Sequence, residues 1–392
     1  MISIYVLWLL IFTLIILLLK LLNINKNFII CFLITLFIIL FVINLNSCIE
    51  SALTGAKLAF NSILPTIFPF SVICNLLICY DGITLYSKLL GPLICRPLNL
   101  SKNCSFPLIA SFLCGYPLGA KYASDIYNLG YIEKNEYERL LNIASNAGPI
   151  FILGAISIAM LNNIKYGYIL LIANYLSSFI IGFLIKSKSS KFIPNNNPKI
   201  IVNTYNSFGT NLKNSLESAI NTTLNIFAFI ILFSVVINII KSIYFIKDAF
   251  LLLENFFNIS NGLIYNIFLG SIEFTNGCKL ISLSDIPINL KLSTISFILC
   301  FSSLSVIAQV SSIISKDKPN YIKYIKLKFL QGLLGFIITY FFSTLLIDSI
   351  PTFNNLNNSY FYKNFSIIYM FINLFLIITL IISIILRKLH SS

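Results

Sequence analysis

Six stretches of this chain run for about 18 residues or more with almost no charge, the length an α-helix needs to cross a bilayer. Ile2–Leu19, Phe28–Leu45, Thr223–Ile240, Phe329–Ile347 and Ser366–Leu386 carry no charged residue, and Ile164–Ile185 carries only Lys165. Transmembrane β-strands alternate over short segments and do not produce such runs. The expected fold class is an all-α polytopic membrane protein. Composition agrees: 58% of the 392 residues are hydrophobic, 10% are charged, and mean hydropathy is +0.91. A soluble domain of this size needs more charge to cover its surface. The first run lacks a basic leader and a small-x-small site before Lys20, so it reads as a retained span, not a cleaved signal.

The net charge of +14 sits between the apolar runs, where it sets topology and does not point to nucleic acid. Lys20 and Lys26, the segments 81–103, 186–199 and 316–328, and Arg387 with Lys388 hold most of the lysine and arginine. The positive-inside rule places them in the cytoplasm. Segments 46–56 and 348–362 have no Lys or Arg and are expected on the other side. A consistent path then leaves 104–120 and 262–280 to enter and leave on one side, as re-entrant hairpins. The expected division is two N-terminal helices (1–45), a first repeat (46–185), a basic linker with an amphipathic helix (186–222), a second repeat (223–315), and a basic loop with two terminal helices (316–392). The charged stretch Glu133–Asn142 reads as a short, solvated cytoplasmic helix.

The two halves resemble each other. Phe70-Ser-Val-Ile-Cys-Asn-Leu-Leu77 matches Phe233-Ser-Val-Val-Ile-Asn-Ile-Ile240. Gly115-Tyr-Pro-Leu-Gly-Ala-Lys121 lines up with Glu273-Phe-Thr-Asn-Gly-Cys-Lys279, and Ser145-Asn-Ala-Gly-Pro149 falls near Phe301-Ser-Ser-Leu-Ser305. Combined with opposite hairpin entry, this predicts an inverted-topology repeat of the kind found in alternating-access transporters.

Irregular backbone at membrane depth persists only where protein buries it or water reaches it. The candidate substrate-binding residues lie at such breaks: Gly115, Tyr116, Pro117, Gly119, Lys121, Ser145, Asn146, Glu273, Thr275, Asn276, Gly277, Lys279, Ser305 and Gln309. Glycine permits the turns and proline ends the helix. The helix start beyond each turn offers N–H groups to an anion. Glu273 costs roughly 2.5–3.5 kcal/mol to insert unless paired or hydrated. It reads either as a substrate or coupling-ion group or as a structural partner of Lys279 or Lys121. Gln309 could bind substrate or hold helices together. No nucleotide-binding or hydrolase motif occurs, so no enzyme and no cofactor are expected. Nine cysteines without a C-x-x-C pair, and a lone His390, argue against a disulfide framework and a metal site. The expected partners are the lipid bilayer and a small anionic or nucleoside-like substrate. Nucleic acid is excluded, and a homo-oligomer is left open.

The stretch Phe106–Lys121, then Gly130–Leu141, Ser145–Pro149, Glu273–Gly277 and Ser305–Gln309, resembles the YlbJ family of sporulation integral membrane proteins over roughly residues 50–345. That family belongs with nucleoside-recognition Gate-domain proteins and is similar in plan to concentrative nucleoside transporters. The resemblance implies movement of dipicolinic acid across the outer forespore membrane during sporulation. Dipicolinate is a small aromatic dianion at neutral pH. A nucleoside carrier and a non-transporting scaffold for the spore envelope are the alternatives. One departure stands out: Ser302 and Ser303 occupy positions where the family pattern has glycines.

Overall fold

The computed structural model describes residues 26–60, 64–185, 207–257, 259 and 262–347. The expected spans Ile2–Leu19 and Ser366–Leu386, most of the linker (186–206) and the segment 348–362 lie outside the described residues. The described residues are helical, without strands. The chain divides into one unit ending at Phe342 and another beginning at Ser343. Apart from residues 343–347, which continue the helix begun at Tyr321, all that follows concerns the first. Four described helices are long and apolar enough to cross a membrane, or up to six if each of two bent pairs counts as one span.

The first bent pair joins α1 (Lys26–Ile43) to α2 (Leu45–Leu58) at 97°. Asn44 sits at the corner, and its side-chain amide donates to the Leu40 carbonyl at 2.9 Å. Phe28, Phe32 and Ile39 of α1 are exposed, an arrangement suited to lipid. The second pair joins α3 (Leu64–Cys79) to α4 (Gly82–Leu89) at 91°. Asp81 takes a left-handed conformation there and accepts a hydrogen bond from Thr84 at 2.6 Å.

Two helical hairpins form, the first turning at Gly115-Tyr116-Pro117 as expected and the second at Glu273, without the glycine expected at its tip. In hairpin 1, α5 (Ser105–Cys114) and α6 (Leu118–Asn128) pack along each other, with Gly115 at φ 85° in the turn. In hairpin 2, α11 (Leu263–Ile272) and α12 (Phe274–Ser282) do the same. Its arms close on a glycine pair: a Cβ on Gly277 would lie 2.1 Å from Gly270 Cα. Small residues are what let helix backbones approach so closely.

Between the hairpins, the chain forms α7 (Lys134–Ile143), a π-helix over Phe151–Met160, and α8 (Ile164–Leu184). It then forms α9 (Phe208–Ser242) and α10 (Tyr244–Phe256). After hairpin 2 come α13 (Ile288–Phe301), α14 (Ser303–Ile313) and α15 (Tyr321–Ile347). The order repeats: helix, short helix, hairpin, broken helix, long helix. The span Ile288–Ile313 is 78% buried, against 28% for Tyr321–Leu346, so the broken helix of the second half is central and α15 more peripheral.

Three local readings need correcting. Residues 208–222 do not form a separate amphipathic helix: with 223–242 they make one 35-residue helix, about 50 Å long at 1.5 Å per residue and longer than a roughly 30 Å hydrocarbon core. Glu133–Asn142 is not a solvated helix. Its Glu133 and Lys134 are exposed, but Tyr137, Arg139, Leu140 and Leu141 are buried. Arg139 donates to the Leu98 carbonyl at 2.8 Å and the Asn99 carbonyl at 3.2 Å. Burial lowers the affinity of that guanidinium for its proton, and Glu136 partly restores it. Last, Lys328 does not belong to a solvated basic loop. It lies inside α15 and is fully buried.

Candidate functional site

The break after α7 is where the polar backbone is concentrated. Ala144 leaves the helix, and residues 145–148 are unwound. Hairpin 1 is seated on this segment. The Tyr116 N–H donates to the Asn146 carbonyl at 2.6 Å. A Cβ on Gly115 would lie 2.3 Å from the Gly148 nitrogen, and one on Gly119 would lie 2.2 Å from the Ala144 carbonyl oxygen. Only glycine allows that contact at each position, which accounts for Gly115 and Gly119. The Asn146 amide donates to the Ile143 carbonyl at 2.6 Å and to Ser111 at 3.3 Å, stitching the break to α7 and α5.

Helices α15 and α8 supply further partners. Ser145 Oγ shares a hydrogen bond with Tyr324 Oη at 2.8 Å. Lys328 Nζ donates to the Ser145 carbonyl and, at 2.7 Å, to Gln331 Oε1. Gln331 Nε2 donates to Asn146 Oδ1 at 3.1 Å. From α8, the Asn174 amide donates to the Ala147 carbonyl at 3.1 Å. The Ser145 and Ala147 carbonyls of the unwound turn are thus satisfied by side chains of α15 and α8, and those of Asn146 and Gly148 by the Tyr116 and Ile152 N–H groups, as buried backbone requires.

The two hairpin tips meet. Tyr116 and Phe274 are matched positions of the proposed repeat, and their rings touch edge to face at 5.5 Å. Phe151, opening the π-helix, contacts Phe274 at 4.9 Å. π-Helical turns recur at functional sites. Tyr116 Oη is buried with no hydrogen-bond partner among the described residues.

Glu273 takes a role that neither reading from the sequence anticipated. Its carboxylate caps α12: Oε1 accepts from the Thr275 N–H at 3.0 Å, and Oε2 from the Asn276 N–H at 2.8 Å and the Asn276 side-chain amide at 2.9 Å. The anion that the start of α12 attracts is therefore supplied by the chain itself. Glu254 does the same for α11, accepting from the N–H groups of Gly262, Ile264 and Tyr265. The single ion pair among the described residues is the exposed Lys213–Glu217, so Glu273 pairs with neither Lys279 nor Lys121.

The other candidates are dispersed. Lys121 is buried away from the tips. Its ammonium donates to Asn75 Oδ1 at 2.9 Å and Ser218 Oγ at 3.1 Å and lies 5.0 Å from the Tyr122 ring centre. This ties hairpin 1 to α3 and α9. Lys279 is exposed. Ser305 and Gln309 are buried on α14, with Ser305 Oγ 3.0 Å from Ser303 Oγ. Ser302 and Ser303 both take positive φ, 71° and 50°, the region glycine would occupy without strain. Sequence reasoning missed Asn174, Tyr324, Lys328, Gln331 and Glu254. For Lys328 the signal was present: apolar Leu327, Phe329 and Leu330 flank it, with Gln331 one turn on.

Three comparisons bear on this arrangement. Residues 60–142 match the family model described as Gate, nucleoside recognition, a stretch that contains the whole of hairpin 1. The chain is 27% identical over 304 residues to the sporulation integral membrane protein YlbJ of Bacillus subtilis (strain 168), covering 72% of this chain and 74% of that protein. A doubly substituted form of CNTnw, solved in an outward-facing state, aligns over 74% of this chain and 76% of its own with 15% identity and a TM-score of 0.34, too low to superpose one fold on the other. The chain is thus an integral membrane protein whose first hairpin lies in a Gate segment and which is similar to YlbJ along most of its length.

Proposed function

We propose that the protein is a secondary transporter or facilitator for a small organic anion, with dipicolinate the leading substrate, acting in the outer forespore membrane. The observation that carries the reading is the meeting of Tyr116 and Phe274 beside the unwound residues 145–148. Two hairpins that touch tip to tip over irregular, side-chain-satisfied backbone form a barrier that rocking of either half can open. In this reading the two halves are inverted repeats, and the substrate sits where they meet. The proposed site comprises Tyr116, Ser145 and Asn146 from the first half and Glu273, Thr275 and Asn276 from the second. Gly115, Pro117, Gly119 and Gly277 shape it. The choice of dipicolinate rests on the similarity to YlbJ and on what that family resemblance implies.

A nucleoside carrier is the second reading. The description of the Gate model as nucleoside recognition favours it, and Asn146, Asn276 and Gln309 could accept ribose hydroxyls. The deciding experiment deletes the gene in a sporulating host. The expected result is spores poor in dipicolinate from mother cells that still synthesise it. Normal spore dipicolinate in the deletion strain contradicts the reading.

A further inference from the structure

Lys328 is a fully buried lysine whose hydrogen-bond partners, the Ser145 carbonyl and Gln331 Oε1, are both neutral. An ammonium has three donors, and the described residues engage two. The well-buried acids nearest in kind are committed elsewhere. Glu254 and Glu273 cap helices, and Asp317 accepts from Ser124 at 2.5 Å, Asn128 at 3.1 Å and Tyr137 at 2.5 Å. A buried charge normally has a charged partner or leads to a ligand. Lys328 has no ion-pair partner among the described residues.

The ammonium is also held in place. Gln331, which accepts from it, is fixed in turn by donation to Asn146 Oδ1 at 3.1 Å. The Ser145 residue whose carbonyl it holds is tied to Tyr324. Tyr116, whose hydroxyl has no partner among the described residues, donates its backbone N–H to the Asn146 carbonyl, so hairpin 1 is fastened to the same unwound turn. The other lysines are poorer candidates, since Lys121 is already engaged by Asn75 and Ser218 and Lys279 is exposed.

We propose that Lys328 binds a carboxylate of the transported anion, with the Tyr116 hydroxyl as a second donor, so that this lysine sets the preference for anionic over neutral substrates. The inference rests on the transport reading and adds to it a residue and the group that residue binds, a carboxylate. A purely structural role is the competing account. The ammonium lies at the C-terminal end of α7, where any cation stabilises the last carbonyls.

The test uses purified full-length protein in proteoliposomes, with labelled dipicolinate, picolinate and uridine as probes. The wild type is expected to take up dipicolinate. Lys328→Met is expected to raise the half-saturation concentration for dipicolinate at least tenfold, to affect picolinate less, and to leave any uridine uptake unchanged. Lys328→Arg should retain part of the dipicolinate uptake. If Lys328→Met does not fold, Lys328→Gln is read in its place, with a raised half-saturation for dipicolinate supporting the assignment and an unchanged one overturning it. An unchanged half-saturation in a folded Lys328→Met, or equal loss of all three substrates together with a lowered melting temperature, also overturns it. A wild type that carries none of the carboxylates removes the transport reading itself, and the inference with it.

Discussion

Among individual residues, Glu273 shows how a buried acid can be explained without an ion pair. A carboxylate at the first turn of a helix accepts N–H groups that have no other partner. Glu273 accepts two of these and the Asn276 side chain. Glu273→Ala should therefore cost about 1–2 kcal/mol, read from unfolding of the detergent-solubilised protein. Adding Lys279→Met should recover nothing, because Lys279 is exposed; recovery would restore the ion-pair account. Ser302 offers the opposite case. A left-handed backbone costs an L-residue roughly 1–2 kcal/mol, glycine's extra freedom when unfolded offsets part of that, and the Ser302 hydroxyl is buried without a described partner. Ser302→Gly should raise stability by about 0.5–1 kcal/mol, and a loss of stability would mean that the hydroxyl has a partner outside the described residues.

For the helices and hairpins, close backbone approach is the controlling feature. Gly277→Ala places a methyl 2.1 Å from Gly270 Cα, so the arms of hairpin 2 must separate. Overpacking of this kind typically costs about 1–3 kcal/mol, and the same unfolding measurement should show it. Gly154→Ala, with open space around its Cβ position, should change stability by less than about 1 kcal/mol. Glycine and proline made hairpin 1 legible in the sequence, whereas hairpin 2 turns at Glu273 and keeps Gly270 and Gly277 inside its arms, where they serve packing and not the turn. The pairing of Tyr116 with Phe274 was legible only as a matched position in the repeat, because no local pattern reveals which tips touch. Two elements misled for physical reasons. The charges of Glu133–Asn142 lie partly on a face that packs through Tyr137, Leu140 and Leu141. Lys328 continues a run of cytoplasmic lysines in sequence, while the helix carries it inside. Counting charges along the chain cannot separate a solvated lysine from one whose partners come from an element some 180 residues away, as Ser145 does.

Across the whole molecule, the account joins two halves with the same order of elements, opposite orientation and hairpins that meet. Sidedness tests the orientation. Cysteines placed at Lys102 and Gly130, flanking hairpin 1, should react with a membrane-impermeant thiol reagent from the cytoplasmic side, in a background with the native cysteines replaced. Cysteines at Ile259 and Asp285, flanking hairpin 2, should react from the other side. Labelling of both hairpins from one side would contradict inversion. The central claim, that the meeting of these halves serves to move a small anion, is tested most directly by uptake into proteoliposomes holding the purified wild-type protein. The account predicts saturable entry of labelled dipicolinate that unlabelled dipicolinate competes and uridine does not. Saturable uptake of uridine that dipicolinate fails to compete, or no uptake of either, would contradict it.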